Sequence, residues 1–385
     1  MTLTIASVEA IALAAPFAAL YDTVPDWLTT PASSHRVLPR LGQYTTLVRI
    51  RTVDGLEGIG ECYGLPEPRV TATIVGSLLA PMLVGRDAGA SEALWELMFG
   101  AQSGAGRTGG FYLEAISGVD LALWDLRGKA AGLPVHRLLG GPVRDTVPVY
   151  ASPIPFLPDV AESAERARAF LDEGFRAMKL KLGRGEATDL AHASAVVDAL
   201  AGRAALHVDL NCAYDVKTAI RLGQALDGLG VRWLEEPLAT DDVAGLAEVR
   251  AAVRIPVVTG ESEFSRYGYR DFLLARAVDV VMPNLARAGG ITEARRIAAL
   301  CDAFHVTVSP HGVGSAVGLA AALQFAAATP NVPIYEYNRL PNPLRDDLPV
   351  EKPSLVDGAL AVPRGPGLGV TLDGSLIEKY EVFRA

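Results

Sequence analysis

The chain has 385 residues, 50% of them hydrophobic, and a net charge of −9. That length buries a large core and has room for two domains. It holds no block of Lys or Arg, which argues against nucleic acid or an anionic membrane as partner, and no apolar run near the ~20 residues that span a bilayer. Three cysteines, Cys62, Cys212 and Cys301, show no paired spacing. So sparse a set fits a reducing cytoplasm and gives no zinc signature.

The first 132 residues read as an α+β unit. The apolar stretch IALAAPFAAL has the texture of a signal-peptide core, but no Lys or Arg precedes it and Glu9 does. An edge strand of a folded domain is the expectation. Strands are expected at 5–13, 45–52 and 56–61, with a turn at Asp54-Gly55, and helices at 70–83, 91–99 and 113–131. Segment 15–43 has no period and carries Pro16, Pro25, Pro31 and Pro39. It is too long for a plain connector, so it is either a lid or disordered; its aromatics and Arg36 favour a lid.

From residue 133 short apolar strands alternate with helical stretches. The strands are at 147–151, 177–182, 205–210, 233–234, 257–258, 280–282, 306–309 and 334–335; helices such as 161–172, 188–201 and 291–304 fit between them. Eight strands and seven or so helices predict a parallel (β/α)7β barrel of the TIM type over 133–345. A doubly wound open sheet is the alternative, disfavoured because the alternation never reverses. The Pro/Gly-rich tail, 346–385, is expected to return to the N-terminal unit and complete a capping domain.

In such a barrel, functional residues gather where strands run into their following loops. The second strand ends with Lys179 and Lys181, the third with Asp209, the fourth with Glu235 and Glu236, the fifth with Glu261, the sixth with Asn284, the seventh with His311 and the eighth with Glu336. Asp209, Glu235 and Glu261 stand 26 residues apart, about one βα unit, so three consecutive strands each present one acid. A lone Asp or Glu there is ordinarily a helix cap. Three in phase repel one another and call for a cation, and oxygen-only ligands with open positions suit Mg²⁺. Lys179 and Lys181 point to one face of their strand. Two ammonium groups held near each other and near a metal are expected to lower each other's pKa, which suits a general base.

The stretch HGVGSAVG at 311–318 follows a strand, opens a helix and precedes Glu336, the outline of a dinucleotide-binding unit. Its spacing is G-x-G-x-x-x-G rather than G-x-G-x-x-G, and it lies late in the chain. The glycines are better read as letting the backbone turn behind His311 and pack closely.

Lys179-Leu180-Lys181, Asp209 with Asn211, Glu235-Glu236-Pro237, Gly260-Glu261, Gly289-Gly290, His311 and Glu336 together resemble the enolase superfamily, in its mandelate racemase and muconate lactonizing branch. The resemblance covers nearly the whole chain. The stretches ESEFSRYGY, AALQFAAA, NPLRDDL and PRGPGLGV look like galactarolactone cycloisomerases and acid-sugar dehydratases. The resemblance implies a Mg²⁺ ion on Asp209, Glu235 and Glu261 that chelates a substrate carboxylate, removal of the adjacent proton, and an enediolate stabilised by Lys179 and Glu336. It also implies that Lys181 and His311 face opposite sides of the reacting carbon, and that the chain forms a symmetric homo-oligomer.

One position departs from the family pattern. An Asp usually ends the sixth strand and bonds the histidine; here Asn284 stands there. A neutral amide supports imidazolium far less than a carboxylate, so Lys181 is expected to be the base and His311 the acid. A symmetric racemase, which needs two competent bases, is disfavoured. The expected reaction is dehydration of a sugar acid or cycloisomerisation of an aldarolactone, with an epimerase third. A non-catalytic sugar-acid binding protein and a nicotinamide oxidoreductase are the rivals from other classes. Specificity is expected in segment 15–43 and loop 62–69, with Tyr21, Trp27, His35, Arg36 and Tyr63 as candidate contacts, joined by Asn211.

Overall fold

The computed structural model describes residues 3–29 and 38–385. The cap begins with an antiparallel sheet of β1 (Ile5–Pro16), β2 (Gly42–Thr52) and β3 (Glu57–Tyr63), followed by α1 (Pro68–Ile74), α2 (Ser91–Ser103) and the long α3 (Gly110–Ala131). β1 is the apolar N-terminal stretch. It is not the edge strand expected, because a C-terminal strand pairs on its outer side: the sheet order places Glu381–Arg384 beside β1, with Ile11 opposite Arg384. That neighbour lies some 370 residues away, beyond the reach of local pattern.

The barrel strands are β4 (Thr146–Ile154), β5 (Ala177–Lys181), β6 (Ala205–Asp209), β7 (Leu234–Glu235), β8 (Val257–Thr259), β9 (Val280–Val281), β10 (Thr307–Val308) and β11 (Tyr335–Asn338). The helices between them are α4 (Val160–Asp172), α5 (Glu186–Leu200), α6 (Val216–Gly228), α7 (Val243–Ala252), α8 (Ser265–Leu274), α9 (Gly290–Ala303) and α10 (Ala316–Ala328). Asp159, Asp215, Asp242 and Ser315 cap helix N-termini through their side chains, which sharpens the strand-to-helix turns. β4 to β10 pair in sequence order, all parallel, and β11 pairs back onto β4. No strand order reverses, so the doubly wound alternative falls. Between β10 and β11 the ladder gives way to single bonds, Ser309 Oγ to the Ile334 carbonyl at 3.1 Å and the Glu336 N–H to the Pro310 carbonyl at 3.3 Å.

The tail first pairs with the barrel. β12 (Leu355–Val356) and β13 (Ala359–Ala361) form a hairpin, and β13 lies antiparallel to β4. Only then does β14 (Glu381–Arg384) join the cap sheet.

Cap and barrel are joined by buried carboxylates at helix N-termini. Asp120 on α3 accepts from the Thr292 N–H at 2.9 Å and the Thr292 hydroxyl at 2.5 Å, at the start of α9. Glu61 on β3 accepts from the Ser315 and Gly318 N–H groups and the Ser315 hydroxyl, each at 2.6 Å, and from the Thr45 hydroxyl at 2.8 Å. A Cβ at Gly314 or Gly318 would sit 2.9 Å from the Glu61 carboxylate. The Gly-rich turn is therefore an anion seat, as helix N-termini tend to be, but the chain's own carboxylate occupies it. The third glycine serves packing: a Cβ at Gly312 would meet the Glu336 carbonyl at 1.8 Å.

Candidate active site

Along β5, Met178 and Leu180 face the helix layer, while Lys179 and Lys181 face the barrel interior. Register places Lys181 beside Asp209, and Asp209 beside Glu235. Glu261 lies just past the end of β8. Asp209, Glu235 and Glu261 each offer an oxygen within 4.8 Å of the others, and all three are buried. Spacing in the sequence thus becomes proximity across neighbouring strands.

Below this layer Tyr150, Trp233, Val258 and Met282 plug the barrel. His207, which the sequence pattern did not single out, stacks on Trp233 with ring centroids 3.7 Å apart. Burial, together with Lys179 nearby, lowers its pKa to about 3 and keeps it neutral.

Lys179 is fully buried. Its Nζ lies 2.6 Å from Glu235, 2.9 Å from Glu336 and 3.6 Å from Asp209. Burial disfavours its charge, but these carboxylates outweigh that and hold its pKa well above the usual lysine range. Without the cation, the nearest charges to Lys179 are anions rather than Lys181. Against burial, Lys179 also holds Glu336 ionised, at about 2. Lys181 contacts Asp209, is 21% exposed and lines an open pocket of about 240 Å³.

His311 lies across this pocket. Its Nε2 is 3.3 Å from Glu261 and 3.8 Å from Glu336, and its Nδ1 is 2.9 Å from Asn284 Nδ2. The amide orientation is set by two backbone partners: Asn284 Oδ1 accepts from the Ala286 N–H at 2.9 Å, and Nδ2 donates to the Val313 carbonyl at 2.9 Å. An amide nitrogen only donates, so Nδ1 of His311 must accept, and the ring proton sits on Nε2. Burial lowers the His311 pKa in the same sense, towards the neutral ring.

Asn211 lines the pocket with both side-chain amide atoms buried and without a hydrogen-bond partner. Such orphaned groups call for a ligand. The Tyr63 ring stands 6.4 Å from that of His311. Trp27 and Leu28, from segment 15–43, also line the pocket. Arg36 and His35 lie outside the described residues. Sequence reading missed Arg40, which lines the same pocket. A larger cavity of about 870 Å³ lies between β3, α10 and the tail and holds none of the strand-end residues.

The donor set fits a hard divalent cation. Asp209, Glu235, Glu261 and Glu336 face two lysines, leaving an excess of negative charge. Glu235 Oε2 has no hydrogen-bond donor among the described residues. Burial, and next the charge of Asp209, push the Glu235 pKa well above the usual carboxylate range. Oxygen ligands gathered this closely suit Mg²⁺.

Comparison with known proteins agrees with this geometry. Residues 35–140 match the mandelate racemase / muconate lactonizing enzyme N-terminal domain, and residues 162–376 match the enolase C-terminal domain-like family. The chain is 36% identical over 348 residues to a D-galactarolactone cycloisomerase of Agrobacterium fabrum, covering 87% of this chain and 91% of that one. It is 32% identical over 360 residues to a D-xylonate dehydratase of Haloferax volcanii, covering 87% and 85%. Among solved structures, a racemase from Streptomyces coelicolor with bound magnesium superposes with a TM-score of 0.88 at 31% identity, covering 98% of this chain and all of that one. The chain is therefore an enzyme of the enolase superfamily, in its mandelate racemase and muconate lactonizing branch.

Proposed function

We propose that this enzyme removes the proton next to the carboxylate of an aldarolactone and opens the ring by expelling the ring oxygen, as a cycloisomerase. The single observation behind the choice is the tautomer of His311. Asp209, Glu235 and Glu261 would hold Mg²⁺, which when bound supplies positive charge to the enediolate. Lys181 is the base: it reaches the open pocket, whereas Lys179 is buried among three carboxylates. The Lys179 ammonium and Glu336 complete the charge pattern around the enediolate oxygens. Asn211 orients the substrate through its unsatisfied amide, and Tyr63 bounds the pocket beside His311.

His311 cannot take a second proton on Nδ1 while Asn284 donates to it. It is held as a neutral ring that offers Nε2–H, a hydrogen-bond donor rather than a strong acid. Such a donor suits a ring carboxylate oxygen, which leaves without full protonation. Hydroxide, the leaving group in dehydration, requires a delivered proton. Epimerisation requires a second base, and an Nε2 that carries a proton is not one.

The test is proton NMR in D₂O with Mg²⁺ on a panel of aldonates, aldarates and aldarolactones. The expected result is loss of the signal next to the carboxylate with ring opening of one aldarolactone, abolished by EDTA. Water loss from an open-chain acid would replace this reading with dehydration. Silence across the panel with Mg²⁺ bound would remove the enediolate reading.

A further inference from the structure

We propose that Arg40 is the seat for a second substrate carboxylate, so that the pocket is built for dicarboxylate sugar acids and their lactones. The inference rests on the enediolate reading for the place of the first carboxylate, at the Asp209, Glu235 and Glu261 cluster.

Arg40 lines the same pocket as Lys181, Glu261 and His311. Its Nε donates to the Gly42 carbonyl at 3.3 Å, and one terminal nitrogen donates to Gln43 Oε1. Gln43 is itself fixed by its Nε2, which donates to the Pro341 carbonyl at 2.8 Å. The guanidinium is thus held in place by neutral acceptors. Its other terminal nitrogen has no acceptor among the described residues, and no carboxylate there pairs with Arg40. Nor can one come from 30–37, which contains no Asp or Glu.

The surroundings make this cation costly without an anion. Trp27, Leu28, Leu38, Leu65 and Phe156 line the pocket. The charged and titratable groups acting on Arg40 are Tyr63, Arg345 and Tyr44, and burial is the largest influence, lowering its pKa. Arg345 already has a partner, Asp346, at 2.6 Å. A planar, always-charged fork that is braced on one side and open on the other matches a carboxylate. The buried cations around this site, Lys179 and Arg345, each have an acid beside them, and the half-buried Arg40 has none among the described residues.

The position also suits the reaction. When an aldarolactone opens, the ring C–O bond breaks, its electron pair stays on oxygen, and the lactone carbonyl becomes a second carboxylate. The bond electrons released at the α-carbon form the new double bond, and the proton goes to Lys181. A guanidinium in the pocket binds that carboxylate as its charge appears, while an open-chain dicarboxylate presents it from the start.

The experiment is calorimetric binding to the full-length, Mg²⁺-loaded protein, with galactarate as the dicarboxylate and galactonate as its monocarboxylate counterpart. Wild type, Arg40→Met and Arg40→Lys are compared, each also in a Lys181→Met background that blocks turnover. The expected result is a loss of about 100-fold in galactarate affinity in Arg40→Met, with galactonate changed by no more than about threefold and Arg40→Lys between the two. Thermal stability of Arg40→Met should equal or exceed that of wild type, because the change removes an unpaired cation. Equal losses for both ligands would place Arg40 at the first carboxylate and overturn the proposal, as would a wild type that does not prefer galactarate. A galactarate preference that tracks Arg40 without any proton exchange would keep the seat and remove the enediolate reading. Proton exchange without that preference would do the reverse.

Discussion

Two sets of buried carboxylates in this protein have opposite surroundings. At the seam between cap and barrel, Glu61, Asp120 and Asp125 are each met by donors: Glu61 by Ser315, Gly318 and Thr45, Asp120 by Thr292, and Asp125 by the Ile59 and Leu368 N–H groups and by Lys129 at 2.7 Å. At the strand ends, Asp209, Glu235 and Glu261 crowd within 4.8 Å of one another, and Glu235 keeps an oxygen without a donor. The seam is satisfied by its own chain and is structural. The cluster has lysines on one side, yet an oxygen of Glu235 stays unmet, where an added cation would fit. Burial of an acid therefore does not mark function; an unmet oxygen beside other acids does.

The contrast breaks most visibly at Glu235. Glu235→Gln should abolish Mg²⁺ binding in calorimetry and lower proton exchange on the order of 10³-fold, yet lower the melting temperature of the metal-free protein by no more than about 2 °C, since the repulsion it relieves offsets the lost ion pair with Lys179. Mg²⁺ at a hundredfold excess over Kd should stabilise wild type by about 2.7 kcal/mol and leave the variant unmoved. A metal-free variant that melts more than about 5 °C below wild type would show that the cluster is balanced without a cation.

Glu61→Gln should behave oppositely. An amide nitrogen cannot accept from the Ser315 and Gly318 N–H groups, so stability should fall by roughly 2–3 kcal/mol in denaturant unfolding, with Mg²⁺ affinity unchanged. An unchanged midpoint would mean that the seam does not depend on this seat.

The seam also has a pH signature. Burial outweighs the Thr292 bonds and raises the Asp120 pKa to about 7. The unfolded chain ionises this group near pH 4, so the folded state binds the proton more tightly. Stability from this group is then greatest below about pH 4, falls as pH rises to about 7, and is flat above. Asp120→Asn removes that slope: the melting temperature of wild type relative to the variant should drop by about 5 °C between pH 4 and pH 7. A constant difference would show that Asp120 is ionised throughout.

What could be read in the sequence follows from the range of each signal. The three acids were legible because one βα unit separates each from the next, so local periodicity carries a long-range contact. The barrel and the Lys179–Lys181 pair were legible for the same reason. Glu61 was not, because its seat is built by residues more than 250 positions away. The interior place of β1 depended on β14, equally distant. Arg40 was missed for a subtler reason: what marks it is the lack of an acid partner, which only tertiary structure reveals. The carboxylates that face Lys179 from β6, β7 and β11 were not legible either, because only the closed barrel brings those strand ends together.

The smallest expected effect sharpens the contrast within the site itself. Asn284 differs from the usual Asp by one group, yet it decides which nitrogen of His311 carries the proton. In Asn284→Asp the carboxylate would accept from Nδ1–H, the Nε2 lone pair would face the pocket, and His311 would become a base on the side opposite Lys181. Wild type in D₂O should exchange the proton next to the carboxylate in one configuration only. Asn284→Asp should add slow exchange in the epimer of opposite configuration, at about a hundredth of the main rate or less, while the Lys181-dependent exchange falls only slightly. In Asn284→Asp the carboxylate still accepts from the Ala286 N–H, but the oxygen that replaces Nδ2 meets the Val313 carbonyl, two acceptors with no proton between them, so this loop must shift for the Asp to sit there. Strict stereospecificity in the variant would mean that the histidine keeps its proton on Nε2 for another reason, and that the amide is not what separates this site from a racemase.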